Sequence, residues 1–396
     1  MNLDLTRRVE PTKVERVTLV AFAGVGVLVA LLGARMAPDR MWGSWLLASY
    51  YAVGLGLAGL CFVAIHYTTG SSWSVAVRRV AEALAGTLPL ALALLVVVLV
   101  ARPQLYPWTR ADFGLAAGGE LAFKRFWLSR PFFLLRAAGY SVAWIMFALA
   151  IRRRSRRQDT DGDPRWTRAN LGLSAAFLVV FAYTFTLASV DWIMSLDPLW
   201  YSTIFGLYNF AGLFLSGLAA IIILALWQER TRRLLNVLPV INAEHLHDLG
   251  KLLFAFSTFW MYMWFSQYML IWYTNFPDET SYFVRREHGL WFGLFLANVL
   301  LNWLVPFAVL LRRDTKRIRT SLALVAAVVL VGRWLDVYLM IFPSVVGEVP
   351  RIGLWEVGLT LGGIGCFGLV LARILRGAPA VPVADPQLAD SLQYEQ

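Results

Sequence analysis

The sequence predicts an all-α polytopic membrane protein with ten transmembrane helices. Three observations carry this. Of 396 residues, 59% are hydrophobic and only 15% are charged, with a mean hydropathy of +0.61; a soluble domain of this size does not carry that much apolar surface. The apolar residues come in runs long enough to cross a hydrocarbon core of about 30 Å. Lys and Arg gather in alternate connections between those runs.

The runs fall near 16–36, 43–66, 80–101, 131–151, 168–192, 199–227, 248–274, 288–311, 320–341 and 353–375. A polar segment of mixed charge, 1–15, precedes the first, which is expected to act as its own insertion signal. The second ends at His66. The third is uninterrupted, "LPLALALLVVVLVA", and is entered past Glu82. After the fourth, the fifth ends at Asp191, with Thr184 two turns back on the same face and Tyr183 beside it. Asp197-Pro198 reads as the cap and first residue of the sixth. The seventh, "FWMYMWFSQYMLIWYTNF", is crowded with aromatic residues around Gln267. The eighth carries Asn298 and Asn302, expected to hydrogen-bond between helices. The ninth carries Arg333 and Asp336, three apart and able to pair on one face. Pro89 and Pro306 fall within spans. The tenth leads into an Ala/Pro-rich tail, 377–396, expected to be disordered unless a partner orders it.

The basic clusters "RRRSRR" (152–157), "QERTRR" (228–233) and "RRDTKRIR" (312–319), with Arg7, Arg8, Lys13, Arg16, Arg78 and Arg79, fall on one side. That side is assigned as cytoplasmic, with both termini inside. The net charge of +11 reflects these loops and gives no reason to invoke nucleic acid. The largest outer segment, 102–130, holds a candidate interfacial helix at Glu120–Trp127; a plain loop and a docking surface for an extracytoplasmic partner are the other readings. Cys61 and Cys366 lie in apolar runs and give no disulfide framework, haem-attachment motif or iron–sulfur motif.

Ionisable groups inside a bilayer are costly and need a reason. Asp191 is either a proton exit or quinol-proton acceptor, or a tie for the turn to the sixth helix. Glu82 is either the partner of Arg78, four residues earlier, or a cytoplasmic proton-uptake group with His66 near the same depth. Arg333 and Asp336 are either a structural pair or part of a second route. His247, Asp248 and Lys251 gather at the cytoplasmic end of the seventh helix, read first as a solvated helix end. His288 lies on the outer side, a second quinol-side candidate with Asp191. Only His66 with His245 or His247 could meet as haem ligands, near the membrane surface, and no metal-ligand cluster is evident. No cofactor is expected on this chain itself, quinol excepted.

The strings "DWIMSLDPLWYSTIFG", "GKLLFAFSTFWMYMWFSQYMLIWYTNFPDET", "HYTTGSSWSVAVRRVAEA", "FWLSRPFFLLRAAGY" and "RREHGLW" closely resemble the ten-helix membrane subunits of alternative complex III. That complex is a bacterial quinol:electron-acceptor oxidoreductase. The resemblance is to the second of its two NrfD-like (polysulfide-reductase-membrane-subunit-like) proteins and covers roughly residues 15 to 375. It implies a membrane domain, 16–376, of two four-helix bundles, about 43–192 and 199–341, with the first and last helices peripheral. It implies a place in the bacterial inner membrane beside a sister NrfD-like subunit, an extracytoplasmic iron–sulfur protein, multihaem and monohaem cytochromes c and small membrane subunits. Haem c and iron–sulfur clusters then belong to the partners. A protein of this type anchors them, is not catalytic alone, and is a proposed proton path: Glu82, His66 and Asp191 in the first bundle, Asp336, Arg333 and His247 in the second. Two alternatives stand beside it: a quinol-oxidising subunit of the same complex, and a secondary transporter.

Overall fold

The computed structural model describes residues 5–6, 8–110, 122–235, 237, 240–347 and 349–395. Its helices are α1 (Lys13–Met36), α2 (Pro38–Thr68), α3 (Val75–Ala85), α4 (Leu88–Ala101), α5 (Ala122–Trp127), α6 (Arg130–Asp161), α7 (Arg165–Trp192), α8 (Phe205–Leu234), α9 (Ala243–Thr274), α10 (Pro277–Glu287), α11 (Leu290–Val299), α12 (Val305–Leu310), α13 (Arg313–Arg317), α14 (Arg319–Val346), α15 (Leu354–Arg376) and α16 (Leu388–Leu392). The described residues contain no β-strand. Of the expected interfacial helix 120–127, Ala122–Trp127 is helical, and Glu120 and Leu121 lie outside the described residues.

Among the described residues, nine helical segments are long and apolar enough to cross a membrane: α1, α2, α3 with α4, α6, α7, α8, α11 with α12, α14 and α15. The expected tenth, α9, is a helix of 32 residues, about 48 Å at 1.5 Å per residue. Its length suffices, but Trp260, Tyr262, Trp264, Tyr268, Trp272 and Tyr273 replace aliphatic residues. Their N–H and O–H groups lower its hydropathy even though the rings bury much apolar area.

The helix ends define two faces. One, the basic face, carries both described chain ends, joined where Arg376 Nε meets Glu10 Oε2 at 3.2 Å. At the opposite face Arg40 clasps Glu356 through Nε–Oε1 (3.0 Å) and Nη2–Oε2 (2.7 Å), which ties the start of α2 to the start of α15. The core is continuous across the helices. At its centre α2 touches α3, α4, α7, α8, α14 and α15. Further out, α6 packs on α7 and α4, α9 on α8 and α12, and α14 on α8 and α11. α1 lies along α15, and glycine permits the contact. A Cβ on Gly26 would sit 2.4 Å from the Gly362 Cα.

Prolines shape two helices. Pro306 has no N–H for the carbonyl four residues back, and a π-helical turn, Leu300–Leu304, precedes it. The freed carbonyl of Asn302 accepts the Ser257 hydroxyl at 2.7 Å. Pro343, inside α14, likewise frees the Leu339 carbonyl, which accepts Arg286 Nε at 2.8 Å. In both helices a side chain replaces the donor that proline removed.

Two expectations are corrected. Asp197 does not cap a helix: α8 begins at Phe205. Asp197 instead ends a 3₁₀ turn, Met194–Leu196. Its carbonyl accepts the Trp200 N–H (3.1 Å) and its carboxylate meets Arg285 at 3.1 Å. The 3₁₀ turn and the Trp200 N–H bond to the Asp197 carbonyl occupy this backbone in place of a helical start. The tail is also not a free segment. Residues 377–395 fold back over the basic face, with Val381 fully buried and Asp385 7% exposed. Too apolar-poor to build a core, the tail borrows one from Val75, Ala76 and Val240.

Candidate functional site

Among the buried carboxylates of the described residues, three are each shared between an arginine and a hydroxyl. The first is Asp191, 0% exposed, at the end of α7. Arg136 on α6 grips both oxygens, Nε to Oδ2 at 2.9 Å and Nη2 to Oδ1 at 2.8 Å. The Trp127 indole donates at 2.9 Å and the Tyr140 hydroxyl at 3.1 Å. The guanidinium also lies over the Trp127 ring, 4.0 Å from its centroid. A planar fork against a carboxylate, desolvated and fully hydrogen-bonded, is the geometry in which a buried pair offsets its desolvation. In the loop that follows α4, Tyr106 donates to the Trp192 carbonyl at 3.0 Å. Burial and then the Asp191 charge push its hydroxyl well above the usual phenol range, so it serves as a donor.

The hydroxyl face expected behind Asp191 is only half there. Thr184 accepts from the Trp144 indole at 2.9 Å, but Tyr183 points outward and is 73% exposed. His288 is exposed, bonded through Nδ1 to the Val284 carbonyl at 2.7 Å, and no described contact joins it to Asp191.

The second carboxylate, Glu82, is 3% exposed. Its expected partner is corrected: Glu82 pairs with Arg79, three residues back, and Arg78 pairs with Asp385 of the tail. Spacings of three and four are both neighbours on a helix, and the tail carboxylate decides between them. Ser155 on α6 donates to Glu82 Oε1 at 2.6 Å and accepts from Arg79 at 3.0 Å, while Arg79 also meets Asp159. His66 is not in this network. It packs between Phe62 and Trp73, at centroid distances of 4.2 and 5.1 Å, and its buried Nδ1 has no hydrogen-bond partner among the described residues.

The third, Asp336 on α14, is 1% exposed. It receives Arg333 and the Tyr208 hydroxyl, the Trp260 indole at 3.2 Å and the Asn298 amide at 3.1 Å. Arg333 reaches on to Asn209 (3.3 Å), which also accepts from Tyr50 (3.0 Å). Gly212 makes room: a Cβ there would lie 2.4 Å from Arg333 Nη1. Asn302 extends the chain, donating to Asn298 Oδ1 at 2.8 Å. Beside Asp336 is a cavity of about 20 Å³ lined by Tyr208, Gln267, Tyr282, Arg286 and Asn298, room for one water. Gln267 Nε2 is buried at this cavity without a partner among the described residues.

His247 is 8% exposed at the basic end of α9. Its neighbour Asp248 pairs with Lys251 and accepts the Tyr394 hydroxyl at 2.7 Å, so the tail reaches this helix end; His247 and Asp248 are buried, while the Lys251 side chain is 46% exposed. The structure thus joins Arg333 with Asp336 and leaves His66, His247 and His288 outside the three networks. Sequence reasoning missed Arg136, Arg79 and Arg286. Arg136 stands alone in the apolar run "FFLLRAAGY", and that was an available signal, because such a cation needs an acid on another helix; Arg79 and Arg286 are each the second of an Arg-Arg pair and carry no such signal. Among the described residues no group of three or more His, Cys, Asp or Glu is placed to hold a metal ion.

Neither protein-family models nor curated proteins give a match to this chain.

Proposed function

We propose that this chain is the membrane-anchoring subunit of a bacterial quinol:electron-acceptor oxidoreductase of the alternative complex III type, and a candidate proton conductor within it. In this reading α9 is the tenth crossing, the basic face is cytoplasmic, α2–α7 and α8–α14 are the two bundles, and α1 with α15 is peripheral. The observation that carries the reading is where the resembling strings meet. "FWLSRPFFLLRAAGY" supplies Trp127, Arg136 and Tyr140, which hold the Asp191 that opens "DWIMSLDPLWYSTIFG". "HYTTGSSWSVAVRRVAEA" supplies Arg79 and Glu82. The seventh-span string supplies Trp260 to Asp336, and "RREHGLW" supplies Arg286 beside it.

In this assembly haem and iron–sulfur groups sit in partner subunits. The work of this chain is to hold its helices in register and present a surface to the partners. Glu82 with Ser155, and Asp336 with Tyr208, are carboxylate–hydroxyl pairs, the arrangement through which a proton can be handed on. The test is purification of the tagged chain from its own membranes in mild detergent. Co-purification of c-type haem with quinol:cytochrome c activity is expected; a lone chain without haem or activity contradicts the reading.

A second reading, quinol binding on this chain, is favoured by a cavity of about 380 Å³ at the opposite face, lined by Gln104, Trp108, Arg125, Leu128, Ser129 and Arg130, adjoining the Trp127 that holds Asp191. Cross-linking of a photoreactive quinone to residues 104–130 would favour it.

A further inference from the structure

The C-terminal segment crosses the ends of four helices, and the contacts are specific. Gln228 on α8 donates to the Ala380 carbonyl at 2.9 Å, and Gln158 on α6 to the Ala384 carbonyl at 3.3 Å. Asp385 pairs with Arg78 of α3, and both are buried. Ser391 donates to the Trp73 carbonyl (3.0 Å) and accepts the Ala76 N–H (3.1 Å). Tyr394 donates to Asp248 of α9 at 2.7 Å. Pro379, Pro382 and Pro386 restrict the backbone and lower the entropy lost on ordering it. Ala378 and Pro379, together with Ile374 and Leu375 of α15 and Arg152 and Arg156 of α6, wall the cavity that holds Glu82 and Ala83, whose volume is about 10 Å³, the lower limit for one water.

We infer that residues 377–395 are a strap that closes the basic-face mouth above Glu82, latched by Asp385 on Arg78, and that release of the strap admits water to that carboxylate. The consequence for proton uptake rests on the proposed function; the closure itself does not. Removing Asp385 strips Arg78 of a desolvated partner and the tail of its latch, so the strap should open far more often in Asp385→Asn.

The experiment is cysteine accessibility in the full-length protein in detergent, with Cys61→Ala and Cys366→Ala as background. A charged maleimide should label Ala83→Cys slowly in the intact chain. Labelling should be at least about tenfold faster with Asp385→Asn, or in a chain ending at Arg376. Equal rates in all three would overturn the strap. Hydrogen exchange on the unaltered chain guards against misfolded variants: amides across 385–392 should be protected, and exchange at the free-peptide rate would overturn the inference by itself. Proton uptake by the assembled complex is measured separately. Fast labelling with unchanged uptake would leave the strap standing and remove Glu82 from the proton path.

Discussion

At the scale of single residues, the interior is governed by the cost of an unpaired charge. Asp191 makes four hydrogen bonds to three side chains, and taking away one partner leaves the other stranded out of water. Arg136→Leu is expected to destabilise the protein by about 3–5 kcal/mol, and Asp191→Leu similarly, whereas the double substitution should recover most of the loss. Thermal unfolding of the detergent-solubilised protein reads all three. The acids were legible in the sequence because a carboxylate stands out in or beside an apolar run. The Arg333 partner of Asp336 was legible too, three residues away on one helix face; Arg136 was not, because it is 55 residues from Asp191 and only the packing of α6 on α7 brings them together. Glu82 shows a different limit. Arg78 and Arg79 are equally reachable along the helix, and the choice between them was made by Asp385, 307 residues from Arg78.

At the scale of helices, backbone irregularities are matched by side chains from neighbours. Ser257→Ala should cost about 1–3 kcal/mol, since it orphans the Asn302 carbonyl. In a Pro306→Ala background the same change should be nearly neutral, because the restored N–H can take that carbonyl; unfolding temperatures of the four proteins give the coupling. The α1–α15 contact makes a paired case. Gly26→Leu must push the helices apart and should destabilise by about 1–3 kcal/mol or more. Gly24→Leu, two residues away with open space around its Cβ position, should change little. The existence of these helices was readable from hydropathy. The late start of α8 was not, because Asp-Pro opens a helix or a tight turn with equal ease.

At the scale of the molecule, the three carboxylate clusters share one continuous core, and the tail stitches helix ends across the basic face. A tail of Ala, Pro and scattered polar residues has too little apolar surface to fold alone. It is ordered by surface that the bundle lends it, which no local pattern reveals. The seventh apolar run is a helix, α9, legible from its length and aromatic content, but it is not among the nine segments apolar enough to cross a membrane. The whole topology turns on it: nine crossings would place the chain ends on opposite sides of the membrane, yet Arg376 and Glu10 meet at one face.

The most direct test is therefore the sidedness of the two ends of α9. In the Cys61→Ala, Cys366→Ala background, Ala243→Cys and Thr274→Cys are labelled with a membrane-impermeant maleimide in intact cells and in inverted membrane vesicles. Ten crossings require Thr274→Cys to react from outside the cell and Ala243→Cys only in the inverted vesicles. Reaction of both positions from the same side would contradict the tenth crossing and, with it, the arrangement that brings Trp260 to Asp336 inside the membrane.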